Sequence, residues 1–430
     1  MSTRCKADRL GMGEATRMTS DGADLDWWAL LSDPAFLENP YPELRRLRET
    51  GPVHRDAQSG VYFILGHDAF SRAVKSTRLG RDTRRWTDGW NTPEYRQYDP
   101  IGYRLFSEFQ PQMINCDGSE HARMRGVYEP AFRAQATKPL VPLIEGEAAR
   151  LLAAMPDAGT VDFIEAYAGP LPLRVLCALF EIPASLDETI GRWSAALIRI
   201  GDIMMSQEQK QEALAALTEF KAFLREQVAA RRATPGDSLM DLAIRAFADG
   251  TLDEEETLTN LVSMLVAGHE TTVTLIGNGM LLLLRHPEAM ARLRAEPALV
   301  RSAVEEFLRV EPGGNMVLRI AVEDFEVEGT TIPAGAPVIG LIGAINRDPA
   351  RFEAPDTLDI ARTGNAHFTF GGGVHFCIGA PLARLEAQIA FSALLRRFAR
   401  IDLAGTPQWR LDRLNARGLG RLPVRVEGAA

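Results

Sequence analysis

Phe370-Gly371-Gly372-Gly373-Val374-His375-Phe376-Cys377-Ile378-Gly379 runs directly into Ala380-Pro381-Leu382-Ala383-Arg384-Leu385-Glu386, which reads as the start of a helix. The chain has 4 cysteines in 430 residues, and one of them stands here among glycines. Glycines let the backbone pass close to a large flat ligand and leave N–H groups free to point at a sulfur. A helix beginning just after Cys377 adds positive dipole where a thiolate charge would sit. The arrangement suits a thiolate bound to a metal centre. The plainer alternative is a Gly-rich turn around a buried, inert cysteine. A dinucleotide-binding reading of the glycines fails, because G-x-G-x-x-G should follow a strand early in a βαβ unit and carries no cysteine.

Beyond this loop, hydrophobic content of 46% is ordinary for a globular protein and ample for a large core. The net charge of −9, from 57 acidic and 48 basic residues, argues against a nucleic-acid partner. Cys5, Cys116, Cys177 and Cys377 show no C-x-x-C pairing and read as reduced thiols of a cytoplasmic protein. Residues 1–26 mix charges, Gly and Thr without an apolar stretch, and read as a disordered segment that is neither signal peptide nor membrane anchor. Residues 27–430 are then expected to form a single domain.

Pro40-Tyr41-Pro42 opens a helix, Gly60 to Gly66 brackets a short strand, and residues 67–77 look helical. From Arg81 to Gln110 the chain reads as a long irregular loop rich in aromatics. Asp117 or Ser119 is the expected N-cap of a helix on which His121 and Arg125, four apart, share a face. The stretch from 138 to 250 reads as amphipathic helices broken at Pro156, Pro183 and Pro235-Gly236. Asp253-Glu254-Glu255-Glu256 then opens a largely apolar run to Leu284. Polar residues interrupt that run too often for a membrane span, so it reads as a helix through the middle of a soluble protein. At its centre stands Ala267-Gly268-His269-Glu270-Thr271-Thr272. Gly costs a helix about 1 kcal/mol against Ala, and Thr can turn its hydroxyl onto a carbonyl one turn back and bend the helix. His269-Glu270 is not zinc chemistry, since H-E-x-x-H would need a histidine where Val273 stands. Past residue 320 the alternation and glycines read as a small antiparallel sheet, and Leu422 to Val426 as a last strand.

The loop around Cys377 fits F-G-x-G-x-H-x-C-x-G, and in this it resembles the haem-binding loop of the cytochrome P-450 family. Ala267-Gly268-His269-Glu270-Thr271 matches that family's A-G-x-[DE]-T element, and Glu306-Phe307-Leu308-Arg309 its E-x-x-R. The resemblance covers about residues 35 to 427 and implies a mainly α fold with a minor antiparallel β region. It implies haem b with Cys377 as the axial thiolate. Phe370, Gly371, Gly373, Gly379, Ala267 and Gly268 would give the ring room, and His121, Arg125, Arg319 and His375 would hold the propionates. Thr271 would face oxygen bound at the iron, and Glu270 would pass protons inward from water. Glu306 and Arg309 would be buried behind the loop. Thr357 stands where many relatives carry a third charged partner, so Arg362 is the expected substitute. Ser263, Val266, Ala267, Asn315 and Val317 fall on pocket-lining positions and suggest a mainly apolar small organic substrate.

The implied activity is O₂-dependent monooxygenation. Electrons would come ultimately from NAD(P)H, through a separate ferredoxin or flavodoxin and its reductase. That partner would dock where Arg123, Arg133 and Arg384 supply positive charge. A cytoplasmic monomer, with no membrane and no nucleic-acid partner, is expected. Peroxide-driven peroxygenation and, as a different class, a non-enzymatic haem sensor are the competing readings.

Overall fold

Asp253 and Glu256 start the longest helix, Glu254–Arg285, by a reciprocal cap. Asp253 Oδ1 accepts from the Glu256 amide at 2.8 Å, and Glu256 Oε2 accepts from the Asp253 amide at 3.0 Å. The helix stops at His286, because Pro287 cannot extend it. This computed structural model describes residues 25–202, 204–413 and 415–429. The N-terminal segment expected to be disordered lies, but for Leu25 and Asp26, outside the described residues. No helix among them is long and apolar enough to cross a membrane. The 32 residues of the central helix span about 48 Å. Six helices pack around it: Pro170–Leu179, Asp187–Leu197, Gln207–Arg231, Leu239–Ala248, Val300–Val310 and Ala380–Arg397. Their apolar faces and its own make the main core.

In chain order the strands are β1 (Val53–Arg55), β2 (Tyr62–Ile64), β3 (Leu79–Gly80), β4 (Ala158–Asp162), β5 (Met316–Ala321) and β6 (Phe325–Val327). They continue with β7 (Thr330–Ile332), β8 (Pro337–Leu341), β9 (Phe398–Leu403), β10 (Gln408–Trp409), β11 (Leu419–Arg421) and β12 (Pro423–Gly428). The largest sheet has the order β1-β2-β8-β5-β3. The β region is therefore mixed, since β2 and β8 run parallel. In this sheet Gly80 pairs with Ile320, which places Arg81 beside Arg319. Two smaller cores flank the sheet, one of them against the helices Trp27–Ser32 and Tyr41–Thr50.

The segment expected to be one irregular loop contains two helices, Pro93–Tyr98 and Pro100–Phe109. Thr92 and Asp99 cap them through the amides of Tyr95 and Gly102, and each has proline at its first position. A second departure is β4, in a stretch that reads as helix and break, where residues 158–162 pair with the C-terminal β12. Between β4 and the helix Pro170–Leu179 lies a π-helical turn, Ile164–Ala168.

Candidate active site

The cysteine loop is closed by its own backbone. The Cys377 amide donates to the Phe370 carbonyl at 2.9 Å, and the Phe376 amide to the Gly373 carbonyl at 3.1 Å. Gly371 and Gly373 both have φ +67°, which suits glycine. A Cβ on Gly373 would lie 1.9 Å from the Val74 carbonyl oxygen. Gly373→Ala combines that collision with left-handed backbone, and is expected to cost about 1–3 kcal/mol. A drop in the urea-unfolding midpoint measures it; an unchanged midpoint would show that the loop reshapes freely. Of the described cysteines, Cys116 and Cys177 are buried and Cys377 is exposed. Protein nonetheless packs around its thiol. That burial pushes the thiol pKa up, against the amides of Gly379 and Ala380 and the charges of Arg125 and Arg384, which pull it down.

Behind the loop, Glu306 and Arg309 are fully buried and doubly bonded, at 2.7 and 2.8 Å. Arg362 Nε reaches Glu306 Oε1 at 3.1 Å, and Asn365 and the Asp359 amide add two further donors at 2.9 Å. Arg309 also donates to the carbonyls of Asn346, Pro355 and Thr357. These bonds tie the helix Val300–Val310 to the segment that leads into the loop. Next along the same helix, Glu305 binds Arg384 at 2.6 Å and His367 at 3.2 Å. Burial opposes these partners, yet they hold the Glu305 carboxyl at about 2.

Between Glu256 and Leu283 the central helix is buried all round except at four residues, Ser263, Ala267, Gly268 and Thr271. Spaced four, one and three apart, they form one stripe. Thr271 Oγ1 donates to the Ala267 carbonyl at 2.6 Å, Thr272 to Gly268 at 3.1 Å and Thr274 to Glu270 at 2.9 Å. All three hydroxyls turn back one turn while the helix stays continuous. Glu270, about 100° round from Thr271, is buried and held by Arg410 at 2.7 Å and Arg413 at 2.8 Å.

A cationic cradle adjoins the cysteine loop. Asp117 receives His375 Nε2 at 3.1 Å and the amides of Arg81 and Asp82. Burial works against these donors, yet together they hold its carboxyl well below the usual range. The His121 and His375 rings lie 4.2 Å apart. Burial, then the neighbouring cations, pushes His121 down to about 4. Arg81 and Arg319 both donate to the Leu318 carbonyl, at 2.8 and 2.9 Å. Burial lowers Arg81 to about 10 and, with help from Arg81, lowers Arg319 to about 9. Among the described residues, Asp117 is the one carboxylate acting on both guanidinium groups. Buried cations so poorly matched suit an anionic ligand.

The sequence model described as Cytochrome P450 matches residues 189–426. Over 416 residues the chain is 33% identical to a 6-deoxyerythronolide B hydroxylase of Saccharopolyspora erythraea, covering 96% of this chain and 98% of that one. The chain belongs to the cytochrome P450 family. It is also 36% identical to the polyketide biosynthesis cytochrome P450 PksS of Bacillus subtilis over 401 residues, 90% of this P450 and 96% of that one. Among solved structures, the myxobacterial cytochrome P450 CYP267B1 in complex with myristic acid superposes with a TM-score of 0.85 at 35% identity, over 94% of this chain and 100% of that one. This P450 is thus a monooxygenase of a family that uses haem and O₂. The residues present fit that cofactor. The loop offers an exposed thiol and glycines that a Cβ would crowd, and the under-neutralised cationic cradle joins it through His375.

Several expectations need correcting. Asp117 occupies the N-cap position but makes no capping bond, because its carboxylate is taken by His375 and the Arg81 and Asp82 amides. Val266 is buried in the main core, about 100° round from Ala267, and lies off the open stripe. Asn315 lines a small cavity with Leu31, Phe36 and Met316, its amide oxygen towards Gly343. Strand alternation turns Val317 to the opposite core, where it packs with the cluster that includes Phe70. Arg123 is bound by Glu256, and Arg384 by Glu305, so of the three expected docking cations only Arg133 is exposed and outside an ion pair among the described residues. Sequence reasoning missed Arg81, Arg410 and Arg413. A glycine-flanked strand end, Leu79-Gly80-Arg81, was the one local signal for the first, and the other two carried none.

Proposed function

We propose that this P450 is a haem-thiolate monooxygenase acting on a large, mainly apolar organic substrate of polyketide or fatty-acyl type. The observation that carries the reading is Cys377, exposed in a glycine-built loop at a helix N-terminus, in contrast to the buried Cys116 and Cys177. When bound, haem b supplies the chemistry that places one atom of O₂ into a C–H bond and releases the other as water. Cys377 would be the ligand of the iron, and the amides of Gly379 and Ala380 would steady its thiolate charge. Phe370, Gly371, Gly373 and Gly379, with Ala267 and Gly268 of the central helix, would make room for the ring. Arg81, Arg125, Arg319, His121 and His375 would hold its two carboxylates. Thr271 presents its hydroxyl on the open stripe, and Glu270 carries protons from water to that side.

The substrate class rests on relatives whose names mention a deoxyerythronolide, polyketide biosynthesis and myristic acid. Electrons reach the haem from NAD(P)H through a separate ferredoxin and reductase, and Arg133, exposed and outside an ion pair among the described residues, is offered to that partner. A cytoplasmic monomer is the matching state. The test is the carbon monoxide difference spectrum of the reduced protein. A red-shifted Soret band that disappears in Cys377→Ser is expected, followed by spin-state shifts with polyketide lactones or long-chain acids. A histidine-type spectrum in the wild type would sink the reading.

A further inference from the structure

Glu270 is held by two arginines of one turn. Both Arg410 and Arg413 lie between β10 and β11, about 140 residues from the helix they reach. The turn itself is pinned on three sides. Asn415 receives the amides of Asn315 at 2.9 Å and Met316 at 3.1 Å, and gives its own amide to Asp202 at 2.6 Å. Asp412 binds Arg199 at 2.8 Å, and Arg417 binds Glu311 at 2.7 Å. The arginines therefore come to Glu270 from a fixed frame.

On its outer side Glu270 borders a cleft of about 370 Å³ open to solvent. The ionisable groups facing it there are Glu165 from the π-helical turn, Asp187 and Glu188 from the helix Asp187–Leu197, His269 from its own helix, and Arg410. Asp187 is paired with Arg174. His269 is buried and shifted towards neutrality. The three neighbouring carboxylates would push a proton onto Glu270; the two arginines oppose them. Burial also favours the protonated acid, yet Arg413 and then Arg410 outweigh it and keep Glu270 below its ordinary pKa.

We propose that Arg410 and Arg413 are positioning residues for Glu270, a latch from the C-terminal hairpin that keeps this acid ionised and on the cleft side of the central helix. The proposal rests on Glu270 being the relay acid. With the latch cut, Glu270 takes up a proton at higher pH and is free to turn towards Thr271.

The experiment is infrared spectroscopy of the haem-loaded protein across pH, with each variant subtracted from the same background carrying Glu270→Gln, so that the protonated carboxyl band of this one residue is read. In Arg413→Gln, and in the double variant with Arg410→Gln, its midpoint is expected to rise by about 1–3 pH units. Arg413→Lys should restore most of the wild-type value, and Arg192→Gln, on a surface ion pair with Glu219, should leave it in place. Arg410→Gln alone, on a side chain 27% exposed, serves where Arg413→Gln does not fold. The second readout is the pH profile of hydrogen peroxide released per NADH consumed, which should move by the same interval. Unmoved midpoints in the arginine variants overturn the latch and leave the relay standing. A peroxide profile that Glu270→Gln does not alter overturns the relay itself.

Discussion

Glu306→Ala is expected to destabilise the protein by about 3–5 kcal/mol and to abolish haem incorporation. Glu306 accepts two bonds from Arg309 and one each from Arg362, Asn365 and the Asp359 amide. Both Glu306 and Arg309 have no solvent exposure, so screening by water does not soften the loss. Alanine would leave the Arg309 guanidinium charged and buried, with carbonyls as its remaining partners. Removing the charge as well separates two contributions. If the stranded cation is the main cost, Glu306→Leu with Arg309→Met recovers much of the stability. Should it remain as unstable as the single variant, the bonds that Arg309 makes to Asn346, Pro355 and Thr357 are the larger part. Urea unfolding followed by circular dichroism reads both; a single variant within about 1 kcal/mol of wild type, the level of a surface pair, would overturn the argument.

What was legible in the sequence was local. The cysteine loop announces itself because glycine spacing and a following helix start are properties of neighbours along the chain. The central helix follows from an acidic first turn, a long apolar run and Pro287. The helices Pro93–Tyr98 and Pro100–Phe109 were equally local, since Thr92-Pro93 and Asp99-Pro100 are caps followed by proline. They were missed because charged and aromatic residues in that stretch drew the reading towards a loop. Arg81 is different. It joins Arg319 only because Gly80 pairs with Ile320, a register set between strands some 240 residues apart. The direction of Val317 was hidden for a related reason: matching a position does not say which face of β5 the side chain takes. Arg410 and Arg413 were invisible, because nothing in a two-residue strand shows that its turn will reach the centre of the longest helix.

The cradle yields a prediction in which one substitution has two opposite effects. Arg81 and Arg319 share the Leu318 carbonyl as acceptor, and burial depresses both, to about 10 and about 9. A cation whose folded pKa lies below its unfolded value destabilises the fold at neutral pH. The strain is relieved as pH rises through the folded pKa, because the unfolded chain then binds more protons. Arg319→Gln should therefore raise the thermal midpoint of the haem-free protein at pH 7, and flatten the gain in stability that the wild type shows above about pH 9. On the proposed reading, in which Arg319 would hold a haem carboxylate, the same change removes a charge-assisted bond of about 1.5–3 kcal/mol, so transfer of haem to apomyoglobin should quicken roughly 10- to 150-fold. Arg81→Gln should act in the same two directions. Wild type should also prefer iron protoporphyrin to its dimethyl ester, and either variant should narrow that preference, because the ester cannot use the charge. If stability and haem retention fall together, Arg319 is instead a structural donor to Leu318 and Gly372. Opposite signs from one side chain are what a site built for an anion requires, since the cost of gathering cations in the fold is recovered only when the anion arrives.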